Sequence, residues 1–137
     1  MNIQEYYQLI TELADLEIEA TSIAESRRIL GELEEREEIL RDVRLSLKRD
    51  IRYLEAEFLK RKRELHFEHL EKKDSKGVRK LIGRGKSRVK AMKELESEKE
   101  ETLGSYYELK TMTEELLVEM ENAKKPLQDF VLDKLGL

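Results

Sequence analysis

The sequence predicts an all-α chain, an elongated antiparallel coiled-coil helical hairpin forming one domain over 1–137. Three observations carry this. Charged residues make up 42% and hydrophobic residues 39%, with no Trp and one Pro, a balance suited to exposed helix more than to a thick globular core. Apolar residues recur at steps of three and four through both ends of the chain, the signature of a helix with one apolar stripe. Between them lies KKDSKGVRKLIGRGKSRVKAMK, from Lys72 to Lys93, where Gly77, Gly83 and Gly85 interrupt the periodicity and mark a change of direction.

The first arm is expected over 3–72. Its stripe runs through Leu9, Leu13, Leu16, Ala20, Ile23 and Leu30, then restarts early at Leu33 and continues through Leu40, Leu47, Ile51, Leu54, Phe58 and Leu65. The early restart reads as a stammer at Gly31, where the absent side chain weakens the helix. Ser22 followed by Glu25 also has the form of a capping box for a new helix, but the unbroken three-four spacing favours one continuous helix. Glu37 and Arg44 fall on the seam and predict a partly solvated interface there. Glu32 with Arg36, Glu37 with Arg41 and Glu57 with Arg61 are spaced as stabilising four-residue ion pairs.

The glycine-containing tip is placed at 73–86 and the second arm at 87–134. That arm carries Leu95, Tyr106, Leu109, Leu116, Met120, Ala123, Leu127 and Phe130 on one stripe, interrupted by Thr113. Pro126 removes a backbone donor and predicts a kink or a fresh short helix. At 1.5 Å per residue the arms differ in length by roughly 35 Å. The stripe at Leu9, Leu13, Leu16 and Ile23 is therefore expected to lack cover within the chain. A homodimer covering it across a two-fold axis is the favoured solution, with the N-terminal segment folding back as a third helix the alternative.

Charge divides the chain more sharply than its net value of −4 suggests. Residues 1–47 sum to −7, residues 48–93 to +10 and residues 94–137 to −7. Folding back at the glycines would gather the basic third at one end. Lys76, Arg79, Lys80, Arg84, Lys86, Arg88 and Lys90 are the candidate polyanion-binding residues, because clustered cations bind phosphates through counterion release. Phe67 is the aromatic nearest the tip, so base stacking is not expected within it. The competing readings are docking onto an acidic protein surface, including that of another copy, a solvated charge run, and an anionic membrane surface near Val78, Leu81 and Ile82. The last is the weakest.

No catalytic set emerges. Gly85-Lys86-Ser87 resembles the end of a phosphate-binding loop, but the first glycine of that motif falls on Lys80, and helix in place of strand precedes it. His66 and His69 share a helical face without the further ligand that zinc requires. The carboxylates sit on solvated faces where nothing raises a pKa. No cofactor, metal or small-molecule substrate is indicated, and an enzyme is not expected. The absence of Cys removes disulfides and thiolate metal sites and is neutral about compartment; no leader-like segment opens the chain and no long apolar run occurs, so a cytoplasmic protein is expected. The reading is a non-enzymatic coiled-coil interaction or scaffold protein that self-associates through its helical stripes and engages an acidic protein surface or nucleic acid with its basic tip. The alternative is a sequence-nonspecific nucleic-acid-binding protein using that tip.

Overall fold

A computed structural model describes residues 1–73 and 78–136, with side chains described for 1–68 and 87–136. The described residues form three α-helices and no strand: α1 (Ile3–Ala14), α2 (Ile23–Lys73) and α3 (Val78–Leu135). The all-α prediction holds. Contacts divide the chain into two units, one of Met1–Lys48 with Glu108–Leu137 and one of Arg49–Tyr107.

The expected continuous first helix is broken between α1 and α2. Asn2 caps α1: its side chain accepts the Glu5 N–H at 2.8 Å, and the Glu5 carboxylate accepts the Asn2 N–H at 3.2 Å. The helix stops at Ala14, and Arg36 of α2 closes its end by donating to the carbonyls of Glu12, Leu13 and Asp15 at 3.3, 3.0 and 2.9 Å. A guanidinium there satisfies carbonyls that have no intrahelical donor and sits favourably at the negative end of the helix dipole. The new helix starts where the capping signal stands. Ser22 Oγ accepts the Glu25 N–H at 3.2 Å, and the Glu25 carboxylate accepts the N–H and hydroxyl of Thr21 at 2.9 and 3.0 Å. The Thr21 N–H holds the Glu25 carboxyl below its ordinary value.

The break resets the helical phase and removes the predicted stammer. The inward positions of α2 are Ser26, Ile29, Leu33, Glu37 and Leu40, an uninterrupted three-four series in which Ile29, 1% exposed, takes the place expected of Leu30. The helix continues through Gly31. In the first unit Leu13 of α1, Ile29, Leu33 and Leu40 of α2, and Met120 and Leu127 of α3 form one core, with Leu9, Leu16, Leu30 and Leu116 packed against it. The N-terminal stripe thus has cover inside its own chain: Leu13 is buried, Leu9 and Leu16 are half-buried against this core, and Ile23 is half-buried at the start of α2. Leu9, Leu13 and Leu16 thus have contacts within the first unit that helix lengths alone do not supply, and residues 15–22 between α1 and α2 are not helical.

Glu37 is likewise not solvated. It is 2% exposed, held by Arg41 at 3.1 Å and by the half-buried Lys124 at 3.0 Å, while Lys124 also meets Glu121 at 3.0 Å. Of the other expected pairs, Glu32 bonds Arg28 at 3.0 Å because Arg36 is taken by the α1 carbonyls. Thr113 is fully buried, its hydroxyl donating to the Leu109 carbonyl at 2.8 Å. α3 continues past Pro126 to Leu135 and is followed by Gly136, whose φ of 73° is the left-handed conformation glycine adopts without a Cβ clash.

In the second unit Ile51 and Phe58 of α2 pack with Leu95 and Leu103 of α3, flanked by Leu54, Leu65 and Tyr106. Polar contacts pair Glu55 with Tyr107, Arg61 with Glu98 and His66 with Arg88, rising positions on α2 against falling positions on α3. α3 begins at Val78, well before the expected 87, so Gly83 and Gly85 are helical backbone. No helix among the described residues is long and apolar enough to cross a membrane.

Replacing Lys124 by Met leaves one buried Glu37 oxygen without its cation and is expected to cost about 1–3 kcal/mol in urea unfolding. Glu121 first and Glu37 second hold the Lys124 amine above the ordinary lysine value of 10.5. A raised folded-state pKa means that this stabilisation is fully present below pH 10.5 and is lost as pH climbs through the raised value. The gap between wild type and K124M should therefore be constant at neutral pH and close in strong alkali. An added Cβ at Gly31 meets nothing within 4 Å, so Gly31→Ala should raise stability by about 0.5–1 kcal/mol. A loss on thermal unfolding would show that this surface is occupied.

Candidate anionic-partner interface

The basic segment is placed by the approach of α2 and the departure of α3 in the second unit. Of the candidate residues, Lys76 lies outside the described residues. Arg79, Lys80, Arg84 and Lys86 are backbone-described as the opening turns of α3, and their side chains lie outside the description, as does that of His69. Arg88 is half-buried and Lys90 exposed, with Lys93 exposed one turn further. Ser87 and the two residues before it are helical, so the Gly85-Lys86-Ser87 stretch does not form the loop that a phosphate cradle needs. His66 has a different partner from a metal. Its Nδ1 lies 2.6 Å from Arg88 Nη2, a group that can only donate. Among the described residues no cluster of three or more metal-ligating side chains occurs.

On α2 the run Lys60, Arg61, Lys62, Arg63 is exposed throughout, yet its members are not equivalent. Arg61 turns across to α3 and makes a two-point contact with Glu98 at 3.0 and 2.8 Å, the geometry that matches a planar guanidinium to a carboxylate. It also lies 5.4 Å from the centre of the Phe58 ring. Hydrogen bonding to Glu98 raises the Arg61 pKa, and the same bond holds the Glu98 carboxyl below its ordinary value of 4.5. Arg61 is therefore a clamp between the helices. Lys60, Lys62 and Arg63 make no ion pair with a described residue and present their charge outward.

Sequence reasoning missed how exposed the aromatics beside this run are. Phe67 is 65% exposed and Tyr53 66%, both on the side of α2 away from Ile51 and Phe58. Their fourteen-residue spacing, four helical turns, was the available signal. On α3, Arg88, Val89, Met92, Lys93, Glu96, Ser97 and Glu100 line an open groove of about 640 Å³. No family model, no curated protein and no solved structure matches the chain.

A carbon-detected NMR titration of Glu98 should give a midpoint below 4.5 that returns towards 4.5 in Arg61→Gln. Because the folded-state value is depressed, the stabilisation is present above pH 4.5 and disappears as pH falls through the lowered midpoint. An unchanged midpoint in the variant would show that the clamp does not form in solution.

Proposed function

We propose that this chain is a non-enzymatic interaction module: an antiparallel coiled-coil hairpin, self-associating, whose basic segment between α2 and α3 engages an anionic partner. The observation that carries the reading is charge segregation. Seventeen basic and seven acidic residues fall within 48–93, while the flanking thirds each hold twelve acidic and five basic residues. Such a distribution steers association with oppositely charged surfaces and has no role in building a core. The outward charge of Lys60, Lys62, Arg63, Lys90 and Lys93 supports it, since these cations are exposed on either side of the segment.

An acidic protein surface is the favoured partner, because carboxylates at Glu55, Glu57, Glu64 and Glu68 are interspersed with the α2 cations and would repel a long phosphate backbone lying along the helix. Nucleic acid is the second reading, supported by Phe67 standing exposed one turn from Arg63. The cytoplasm is the compartment proposed for both.

Neutralising Arg79, Lys80, Arg84 and Lys86 together should leave the circular dichroism of the helices unchanged and weaken binding to anionic probes. With duplex DNA in fluorescence anisotropy, the salt slope should flatten by about 0.9 for each phosphate that the variant no longer neutralises. An acidic polypeptide probe should lose affinity by the same substitutions. Affinity unchanged for both probes would remove this segment from the function.

A further inference from the structure

In the second unit α2 and α3 each expose a surface that the other does not cover, and the two are complementary. The side of α2 turned away from Ile51 and Phe58 presents Arg52, Tyr53, Leu59, Lys60, Arg63 and Phe67. All six are exposed, Tyr53, Leu59 and Phe67 at 66, 50 and 65%, and the carboxylates Glu57 and Glu64 border them on one side only, beside Tyr53 and Lys60. Exposed aromatic and leucine side chains interleaved with arginine have the composition of a protein interface, where Tyr, Phe and Arg are enriched.

The groove on α3 offers the matching chemistry. Val89, 53% exposed, and Met92 supply apolar surface at one end with the cations Arg88 and Lys93 beside them, and at the other end Glu96 and Glu100 supply the carboxylates. From 94 to 121 every exposed charged side chain of α3 is a glutamate. Spacing agrees as well. On α2, Arg63 and Lys60 stand four and seven residues from Phe67, roughly 6 and 10 Å along the axis. On α3, Glu96 and Glu100 stand four and eight residues from Met92, roughly 6 and 12 Å. With the helices running in opposite directions, Phe67 meets Val89 and Met92 while Arg63 and Lys60 face Glu96 and Glu100.

The two surfaces cannot meet within one chain, because the α2 face points away from α3. We infer that the occupant of the α3 groove is the Arg52 to Phe67 face of a second copy of this chain. This names the surfaces for the self-association in the function proposed above and rests on that reading. The contact joins unlike patches, so it is heterologous, and each added copy leaves one face and one groove unused. Assembly is then salt-sensitive and grows with concentration.

Sedimentation velocity of the full chain, treated with nuclease and followed over a wide concentration range at low and high salt, tests this with two charge reversals. Lys60→Glu with Arg63→Glu makes the face acidic, and Glu96→Lys with Glu100→Lys makes the groove basic. Each variant alone should keep its helicity and associate roughly tenfold or more weakly than wild type. An equimolar mixture should recover association, since the intact groove of the first meets the intact face of the second. Phe67→Ser should weaken assembly without altering its salt dependence. Self-association that survives both reversals would overturn these surfaces and leave self-association itself standing. A wild-type chain that stays monomeric throughout would overturn both. Association that vanishes on nuclease treatment would overturn the docking in favour of a nucleic-acid bridge at the basic segment.

Discussion

An α-helix whose apolar residues lie on one stripe satisfies its backbone internally but leaves that stripe in water until another element covers it. In α2 the stripe is Ile29, Leu33, Leu40, Leu47, Ile51 and Phe58, all nearly inaccessible to solvent. Everything else in the chain answers to that burial. α3 supplies Leu95, Leu103, Leu109, Met120 and Leu127, and the requirement that its residues meet those of α2 fixes which side chains are left outside. At roughly 25 cal/mol per Å² of apolar surface removed from water, these contacts dominate the stability, and the surface ion pairs such as Arg28 with Glu32 are minor beside them.

In the first unit the stripe gains a third element, and the way α1 returns shows what can be read locally and what cannot. The Ser22 and Glu25 cap was legible, as a side chain three residues on from a hydroxyl. What outweighed it in the sequence was spacing: Leu13, Leu16, Ala20 and Ile23 keep helical steps across residues that are not helical. Periodicity records which residues want cover and does not say that one helix carries them all. The deciding contact was beyond local reading, because Arg36 closes α1 from more than twenty residues away. The same holds for Glu37. A glutamate on a seam reads as a solvated defect unless its cation is known, and Lys124 arrives from the other long helix. Breaking such a pair is costly even where the pair itself adds little net stability, since the buried carboxylate has lost its water.

The basic segment was legible as composition and less so as a surface. Composition treats Lys60, Arg61, Lys62 and Arg63 as one run, whereas the helix sends Arg61 to Glu98 and the others outward. It counted Phe67 as the nearest aromatic without showing that most of its ring surface faces solvent. It also placed Gly83 and Gly85 in a turn, although both are accommodated in helix, where glycine is weakening but permitted. Which cations remain available to a partner is thus a property of helical phase. A charge count alone assigns none of them.

Helical phase also joins the two halves of the functional argument. A chain with net charge −4 repels its own copies weakly at long range, and only local segregation can reverse that. Burial of the stripe on α2 forces its basic and aromatic residues to the opposite side, and burial of Leu95 and Leu103 on α3 forces its glutamates outward. The core therefore creates two unlike outer faces as a by-product of its own packing. Because they are unlike, the proposed attraction between copies would be directional, strongest where a cation-bearing face meets a carboxylate-bearing one. Because the large apolar side chains at Tyr53, Leu59 and Phe67 stand among the cations, the proposed contact would begin electrostatically and end with desolvation of apolar surface. In such a contact salt would act chiefly on the encounter, and the aromatic residues would set how long it lasts.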